Sequence, residues 1–284
     1  MPDPLFSISN LTCEYFSGQP VLEIPKLEIP NGRLIFVIGR SGIGKSTFIE
    51  TLGLMNNTIA NRSTTQLQFT PNEKAIELKE SWQWSNDQLS GFRKQHFSFI
   101  FQNTNLMPNF TCGENMIISL LIKGKSFEAA KSEVVEMMER LALDKQLFDK
   151  RITEISGGQR QRLAFVRAVT ADFDVLFGDE PTGNLDRMTA YELMSILKEI
   201  VKDKGKTCIL VSHDLDLAEK FADIVIPIAI DETSSTERTI GRINESNIIQ
   251  KIDNQWTLKN ENLVASPTEY LNAFLQQPNP LKTN

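Results

Sequence analysis

The sequence predicts an α/β fold: a mostly parallel sheet covered by helices, with an N-terminal antiparallel β lobe and an inserted helical lobe. Three observations lead there. Five short apolar runs, Leu34–Ile38, 97–101, 175–177, Thr207–Val211 and 224–230, have the continuous hydrophobic character of strands buried on both faces. Stretches with helical spacing alternate with them, as in an open α/β sheet. A glycine-rich loop at 39–46 joins the first run to the first helical stretch.

Taken in order, 5–15 and 21–29 alternate polar and apolar residues and are joined near Gly18, which predicts an antiparallel pair. Residues 56–72 are polar and rich in Asn and Thr, a loop holding a weak strand. Helices are expected over 46–55, 126–143 and 189–204, the second spacing Ala129, Val134, Met137, Met138 and Leu141 with charges between. Residues 109–155 are mainly helical yet lie between two strands of the sheet, so they predict an inserted lobe. A polar Ser/Thr cluster over 231–238 marks a boundary between a main domain over 1–230 and a C-terminal extension over 231–284. In that extension Ser266, Pro267 and Glu269 have the form of a helix start: a cap, a proline at the first position, a glutamate at the third. Tyr270, Leu271, Phe274 and Leu275 give this short amphipathic helix its apolar face; packing, a dimer contact or a partner contact would each use it.

The 284 residues are 40% hydrophobic, enough for one large, lobed domain. A formal net charge of −6 offers no basic excess to displace phosphate counterions, so no nucleic-acid partner is expected. Cys13, Cys112 and Cys208 are far apart, no C-x-x-C pair exists, and the histidines are His96 and His213, which leaves a structural zinc site without ligands. Such thiols suit a reducing compartment. The N-terminus, Met-Pro-Asp-Pro, has neither the basic nor the apolar region of a signal peptide. The apolar stretches fall far short of the about 20 residues needed to cross a bilayer. The expectation is a soluble, cytoplasmic protein that reaches a membrane only through a partner.

Gly39, Arg40, Ser41, Gly42, Ile43, Gly44, Lys45 and Ser46, with Thr47 following, fit G-x-x-x-x-G-K-[ST] between a strand and a helix. Glycines let the backbone curl so that successive amides point at anionic oxygens. The helix N-terminus adds about half a positive charge. Lys45 can reach β and γ phosphates, and the Ser46 hydroxyl can coordinate Mg²⁺. Such a pattern arises by chance in on the order of one chain in a hundred of this length, before its strand and helix context is counted.

Ligands of open α/β sheets bind beyond the carboxyl ends of the strands. Here Gln102 follows 97–101, Asp179 and Glu180 follow 175–177, and His213 follows Thr207–Val211. Neighbouring strand residues point to opposite faces, and Pro181 helps to end the strand, so the two carboxylates can take different work. Asp179 suits Mg²⁺ through water; Glu180 suits the attacking water, as general base or orienter. Gln102 can bind Mg²⁺ and that water through its amide oxygen, and His213 can donate to the γ-phosphate. His96 has the plain reading of a structural histidine.

Ile155, Ser156, Gly157, Gly158, Gln159, Arg160, Gln161 and Arg162 resemble the signature of ABC ATPases, L-S-G-G-Q, with isoleucine for leucine. Physically this is a Ser-Gly-Gly turn opening a helix whose free amides can face a phosphate. The order along the chain (phosphate loop, Gln102, signature, Asp179 with Glu180, His213) is the order ABC ATPases show, and the resemblance covers roughly residues 5–230. It implies a P-loop NTPase (RecA-like) core that binds ATP and Mg²⁺ and hydrolyses ATP, with Lys45, Gln102, Glu180 and His213 as its catalytic set. It also implies a homodimer or a paired ABC ATPase, each nucleotide lying between one chain's phosphate loop and the other's signature. Ser156, Gly157, Gly158 and Gln159 would then meet ATP in trans. Asp186 matches the D-loop aspartate and belongs at that interface. Tyr15 matches the aromatic that stacks on adenine; Phe16 is its rival, and an ordinary strand aromatic is the plain alternative.

Glu180, Pro181, Thr182, Gly183, Asn184, Leu185 and Asp186 form one stretch with subgroup character. Phe101, Gln102 and Asn103, leading to Leu106–Thr111 and to Glu114 and Asn115, form another. Both resemble the ATPases of lipoprotein-release, macrolide-export and cell-division complexes. In that group the partner is an integral, permease-like membrane protein with a large extracytoplasmic domain, docked in the groove after Gln102. The chain would then be peripheral to the inner membrane. Residues 56–95, with Trp82 and Trp84, match that pattern poorly, and the tail after 231 is longer than the group usually carries. A soluble ABC protein acting on DNA or ribosomes would need long heptads or a second cassette, and neither is present. A regulatory clamp that hydrolyses poorly is disfavoured by an intact Glu180.

Overall fold

The computed structural model describes residues 4–60, 63–231, 234, 239–259 and 262–276, so most of the polar cluster at 231–238 and the chain beyond Gln276 lie outside the described residues. The chain opens with a long hairpin, β1 (Phe6–Phe16) antiparallel to β2 (Gln19–Ile29), turning at Gly18 with a φ of 74°. Next come β3 (Leu34–Ile38) and α1 (Lys45–Leu52). The stretch at 56–95 supplies β4 (Gln66–Phe69), which pairs with β1, then β5 (Ile76–Glu77) and α2 (Asn86–His96). After β6 (Phe97–Ile100), the helical lobe carries α3 (Cys112–Ile122), α4 (Phe127–Arg140) and two 3₁₀ turns, and leads into α5 (Gly157–Thr170). There follow β7 (Val175–Asp179), α6 (Arg187–Lys204), β8 (Thr207–Val211), α7 (Leu215–Phe221), β9 (Ile224–Pro227) and β10 (Ala229–Ile230). The tail adds β11 (Gly241–Arg242), β12 (Ile249–Ile252), β13 (Gln255–Leu258) and α8 (Pro267–Gln276).

These strands make two sheets. The seven-stranded one runs β13-β12-β9-β3-β8-β7-β6, and its β9, β3, β8, β7 and β6 are parallel. The six-stranded one runs β10-β11-β2-β1-β4-β5. β3 shows why apolar runs form the centre: Leu34, Phe36 and Ile38 enter the core shared with the helices, while Ile35 and Val37 enter the core facing the other sheet. Phe48, Ile49 and Leu52 of α1 fill that second core alongside Leu22 and Ile24 of β2.

Two expectations need correction. The run at 224–230 is not one strand. Pro227 has no amide to continue the ladder, so β9 ends there and the chain crosses to pair β10 with β11 in the other sheet. Nor does strand alternation separate Asp179 from Glu180: Asp179 closes β7, and Glu180 leaves the strand with a φ of 47°. The residues past Asp231 continue both sheets, β11 beside β2 and β12 beside β9, and Arg242 bonds Asp231 and Glu23.

The helical lobe is stapled by Asn115, fully buried on α3. Its side chain accepts from the Met107 amide at 2.7 Å and donates to the carbonyls of Met107 (3.0 Å) and Thr111 (2.9 Å). Thr111 and Glu114 form a capping box that starts α3, and Ser85 with Gln88 does the same for α2.

Candidate active site

β3 ends in Ile38 and the chain curls at once. Gly42 (φ 73°) and Gly44 (φ 101°) hold left-handed conformations that a side chain would strain. Lys45 Nζ donates to the carbonyls of Gly39 (3.0 Å) and Arg40 (2.9 Å), closing the loop on itself. Burial pushes the Lys45 ammonium below the ordinary lysine range, and the carboxylates of Glu180 and Asp179 act against that shift.

The parallel order β3-β8-β7-β6 brings four strand ends to one side. A single cleft there is lined by Ser41, Gly42, Gly44, Lys45, Ser46, Thr47, Gln102, Asp179, Glu180 and His213. Glu180 is its hub. Its amide donates to the Val211 carbonyl at 3.0 Å, which ties the turn after β7 to β8. Its Oε1 lies 2.8 Å from His213 Nε2, and its Oε2 lies 3.5 Å from Gln102 Nε2. The positive φ turns Glu180 back into the same cleft as Asp179.

The donor set fits a hard cation. Ser46 Oγ, the Gln102 amide and the Asp179 carboxylate are oxygen ligands on one cleft, the chemistry Mg²⁺ prefers when phosphate oxygens and water complete its shell. Gln102 turns its nitrogen toward Glu180, so its oxygen is the end left for a metal or a water. Among the described residues no group of three His, Cys, Asp or Glu forms a metal cage by itself.

Several expected site residues lie elsewhere. Gly39 and Ile43 are buried behind the loop, and Arg40 turns away to donate from Nε to the Leu275 carbonyl at 2.8 Å. Tyr15 is about half exposed beside α1, its hydroxyl 3.2 Å from Thr47 Oγ1, and Phe16 is more exposed still. Ser156 to Gln159 and Asp186 do not line the cleft. Ser156 caps α5 in a box with Gln159, which satisfies the amides of both and leaves those of Gly157 and Gly158 without a partner among the described residues. Asp186 is the exposed cap of α6; hydrogen bonds from Thr189 hold its carboxyl below the usual carboxylate range.

The sequence reading gave no role of their own to three contributors. Val21 of β2 lines the cleft. Gln161, buried on α5, donates to the Pro181 carbonyl at 2.9 Å and joins the signature helix to the Glu180 turn. Gly241 of β11 packs against Ile43. Only Gln161 carried a local signal, as a polar residue at a core position of a helix.

A family model described as "ABC transporter" matches residues 22–183. Lipoprotein-releasing system ATP-binding protein LolD of Pseudoalteromonas translucida is 33% identical over 227 residues, which is 79% of this chain and 93% of that protein. Macrolide export ATP-binding/permease protein MacB of Vibrio parahaemolyticus is 34% identical over 231 residues, but the chain spans only 33% of MacB. Among solved structures, the dimeric post-hydrolysis state of the ATP-binding cassette MJ0796 bound to ADP and Pi superposes with a TM-score of 0.70 at 26% identity, over 84% of this chain and 96% of that one. The family match, the relatives and the shared fold agree, and the chain belongs to the ABC transporter family as an ATP-binding, ATP-hydrolysing subunit.

Proposed function

We propose that two copies of this chain, or this chain and a paired ABC ATPase, close around two Mg-ATP and reopen after hydrolysis, driving a membrane partner that carries an extracytoplasmic domain. One observation supports the reading: the expected site residues lie in two places. The groups suited to hold phosphate and activate water share one cleft, whereas Ser156, with the amides of Gly157 and Gly158 that have no partner among the described residues, is exposed outside it. A second copy would lay its Ser156 turn over the first copy's cleft, with the two Asp186 loops beside it.

In this reading Lys45 and the amides of 39–47 hold the β and γ phosphates. Ser46 and Gln102 would hold Mg²⁺ directly and Asp179 through water; when bound, the ion would supply charge neutralisation at the phosphate oxygens. Glu180 accepts the proton of the attacking water or orients it. His213 fixes Glu180 and reaches the γ-phosphate. Tyr15 stacks on adenine, with Phe16 as the alternative. Only a ligand with different affinity for open and closed dimers can drive a partner, and the γ-phosphate contacts supply that difference.

The partner's place is supported by a second cavity. It opens between β6, α3 and α5, and its lining includes Phe99, Phe101, Asn105, Ile122, Lys123 and Arg167. Arg167 donates to the carbonyls of Thr104 (2.9 Å) and Asn105 (2.8 Å), so it pins the loop that begins at Gln102 to this groove. Leu121 and Ile122 are exposed at its rim. No helix among the described residues is long and apolar enough to cross a membrane. The partner would hold the chain at the inner membrane. Residues 1–230 then form the ATPase domain, and 231–284 an extension of it.

Gel filtration of a Glu180→Gln chain tests the assembly. With Mg-ATP it should elute as a dimer, and without nucleotide or with an added Ser156→Arg change as a monomer. A monomer under all conditions would refute the sandwich. Charge reversal at Lys123 and Arg167 should prevent co-purification with the membrane partner while leaving ATP binding intact.

A further inference from the structure

We propose that the C-terminal segment from β11 to α8 braces the phosphate loop, and that Arg40 is the positioning residue through which α8 sets that loop for nucleotide. The proposal rests on the reading of the loop as the ATP site. Two separate contacts carry it. On one flank, Arg40 Nε donates to the Leu275 carbonyl at 2.8 Å, across 235 residues of sequence. Leu275 lies on α8, next to the buried Phe274. A guanidinium there makes a charge-assisted bond. On the other flank, Gly241 presses on the loop: a Cβ at 241 would lie 2.0 Å from the Ile43 carbonyl oxygen, closer than any side chain permits.

α8 is itself anchored. Leu271 is fully buried and Phe274 nearly so. The amide and the hydroxyl of Thr268 both donate to Glu219 on α7. The Tyr270 hydroxyl donates to the Asn247 carbonyl at 3.3 Å. α7 begins two residues beyond His213, so α8 is fixed to the helix after one cleft residue while it holds the loop that carries others. The link continues inside the loop, because the carbonyls of Gly39 and Arg40 are the acceptors of Lys45 Nζ. Displacing Arg40 therefore displaces the groups that hold Lys45 ready. If α8 served only to cover apolar surface, loosening it would lower stability and leave nucleotide affinity alone.

The test uses the full chain carrying Arg40→Ala, Phe274→Asp or both, titrated by calorimetry with Mg²⁺ and the non-hydrolysable AMP-PNP, with thermal melts alongside. Arg40→Ala should weaken AMP-PNP on the order of tenfold, the scale of losing a hydrogen bond to a charged group. Phe274→Asp, which lifts the end of α8, should weaken it in the same direction. The double change should lose less affinity than the two single losses multiplied, because both changes break the contact between Arg40 and Leu275. Phe274→Ala, a gentler change, should show the same non-additivity with Arg40→Ala and serves where Phe274→Asp does not fold. Phe274 variants that lower the melting temperature but bind AMP-PNP as the parent does would overturn the proposal. So would losses that multiply in the double variant. A parent chain that fails to bind AMP-PNP would instead overturn the reading of the loop.

Discussion

Glu180 concentrates the chemistry into one side chain. It sits between His213 and Gln102, its amide is pinned to β8, and its backbone adopts a left-handed turn. Each tie limits where its carboxylate can point, which in the proposed mechanism is toward the attacking water. Glu180→Gln keeps the shape and removes the proton acceptor, so single-turnover hydrolysis should slow by on the order of 10²–10⁴ with AMP-PNP binding retained. Equal rates would remove Glu180 from that role. His213→Ala should lower the same rate and leave AMP-PNP affinity near the parent value; a loss confined to affinity would place His213 with binding instead. The chemical identity of these residues was legible in sequence, because polar residues at the ends of apolar runs stand out. Their conformations were not. The period-two rule points Glu180 away from Asp179, and only the positive φ brings it back.

Helix and strand ends set where those residues point. Ser156 and Thr111 are both helix caps with reciprocal partners, at Gln159 and Glu114. Each should cost about 1 kcal/mol of stability when changed to alanine. Ser156→Ala should also impair hydrolysis, whereas Thr111→Ala should leave the rate per folded chain unchanged; an equal activity loss in both would make the signature serine a cap and nothing more. Gly178, one residue before Asp179, faces a neighbouring strand: a Cβ there would lie 2.7 Å from Leu210 Cδ2. Gly178→Ala should therefore destabilise the chain by about 1–3 kcal/mol and displace Asp179. At this scale the sequence was most readable where runs are long and bounded. β3 and β8 match the apolar runs Leu34–Ile38 and Thr207–Val211 residue for residue. It was least readable at β10 and β11, two-residue strands that leave no period to detect, with β11 pairing to β2 from far away in sequence.

The whole molecule joins what sequence distance separates. The phosphate loop meets α8 through Arg40, α5 meets the Glu180 turn through Gln161, and the loop after Gln102 meets the groove through Arg167. These links could not be foreseen, since each depends on tertiary proximity and none on local pattern. If Ser46, Gln102 and Asp179 hold Mg²⁺ as proposed, chelation of Mg²⁺ should abolish hydrolysis and its return restore it; hydrolysis that survives chelation would remove the three from that task.

The proposed division of the site between two chains is tested most directly by mixing. A Lys45→Ala chain lacks the phosphate-holding half, and a Ser156→Arg chain lacks the capping half. Each should be inactive alone, and in a mixed dimer one site regains both halves. ATPase activity should therefore appear on mixing and peak near equal amounts of the two folded, dimerising chains. No recovery at any ratio would contradict a site shared between two copies.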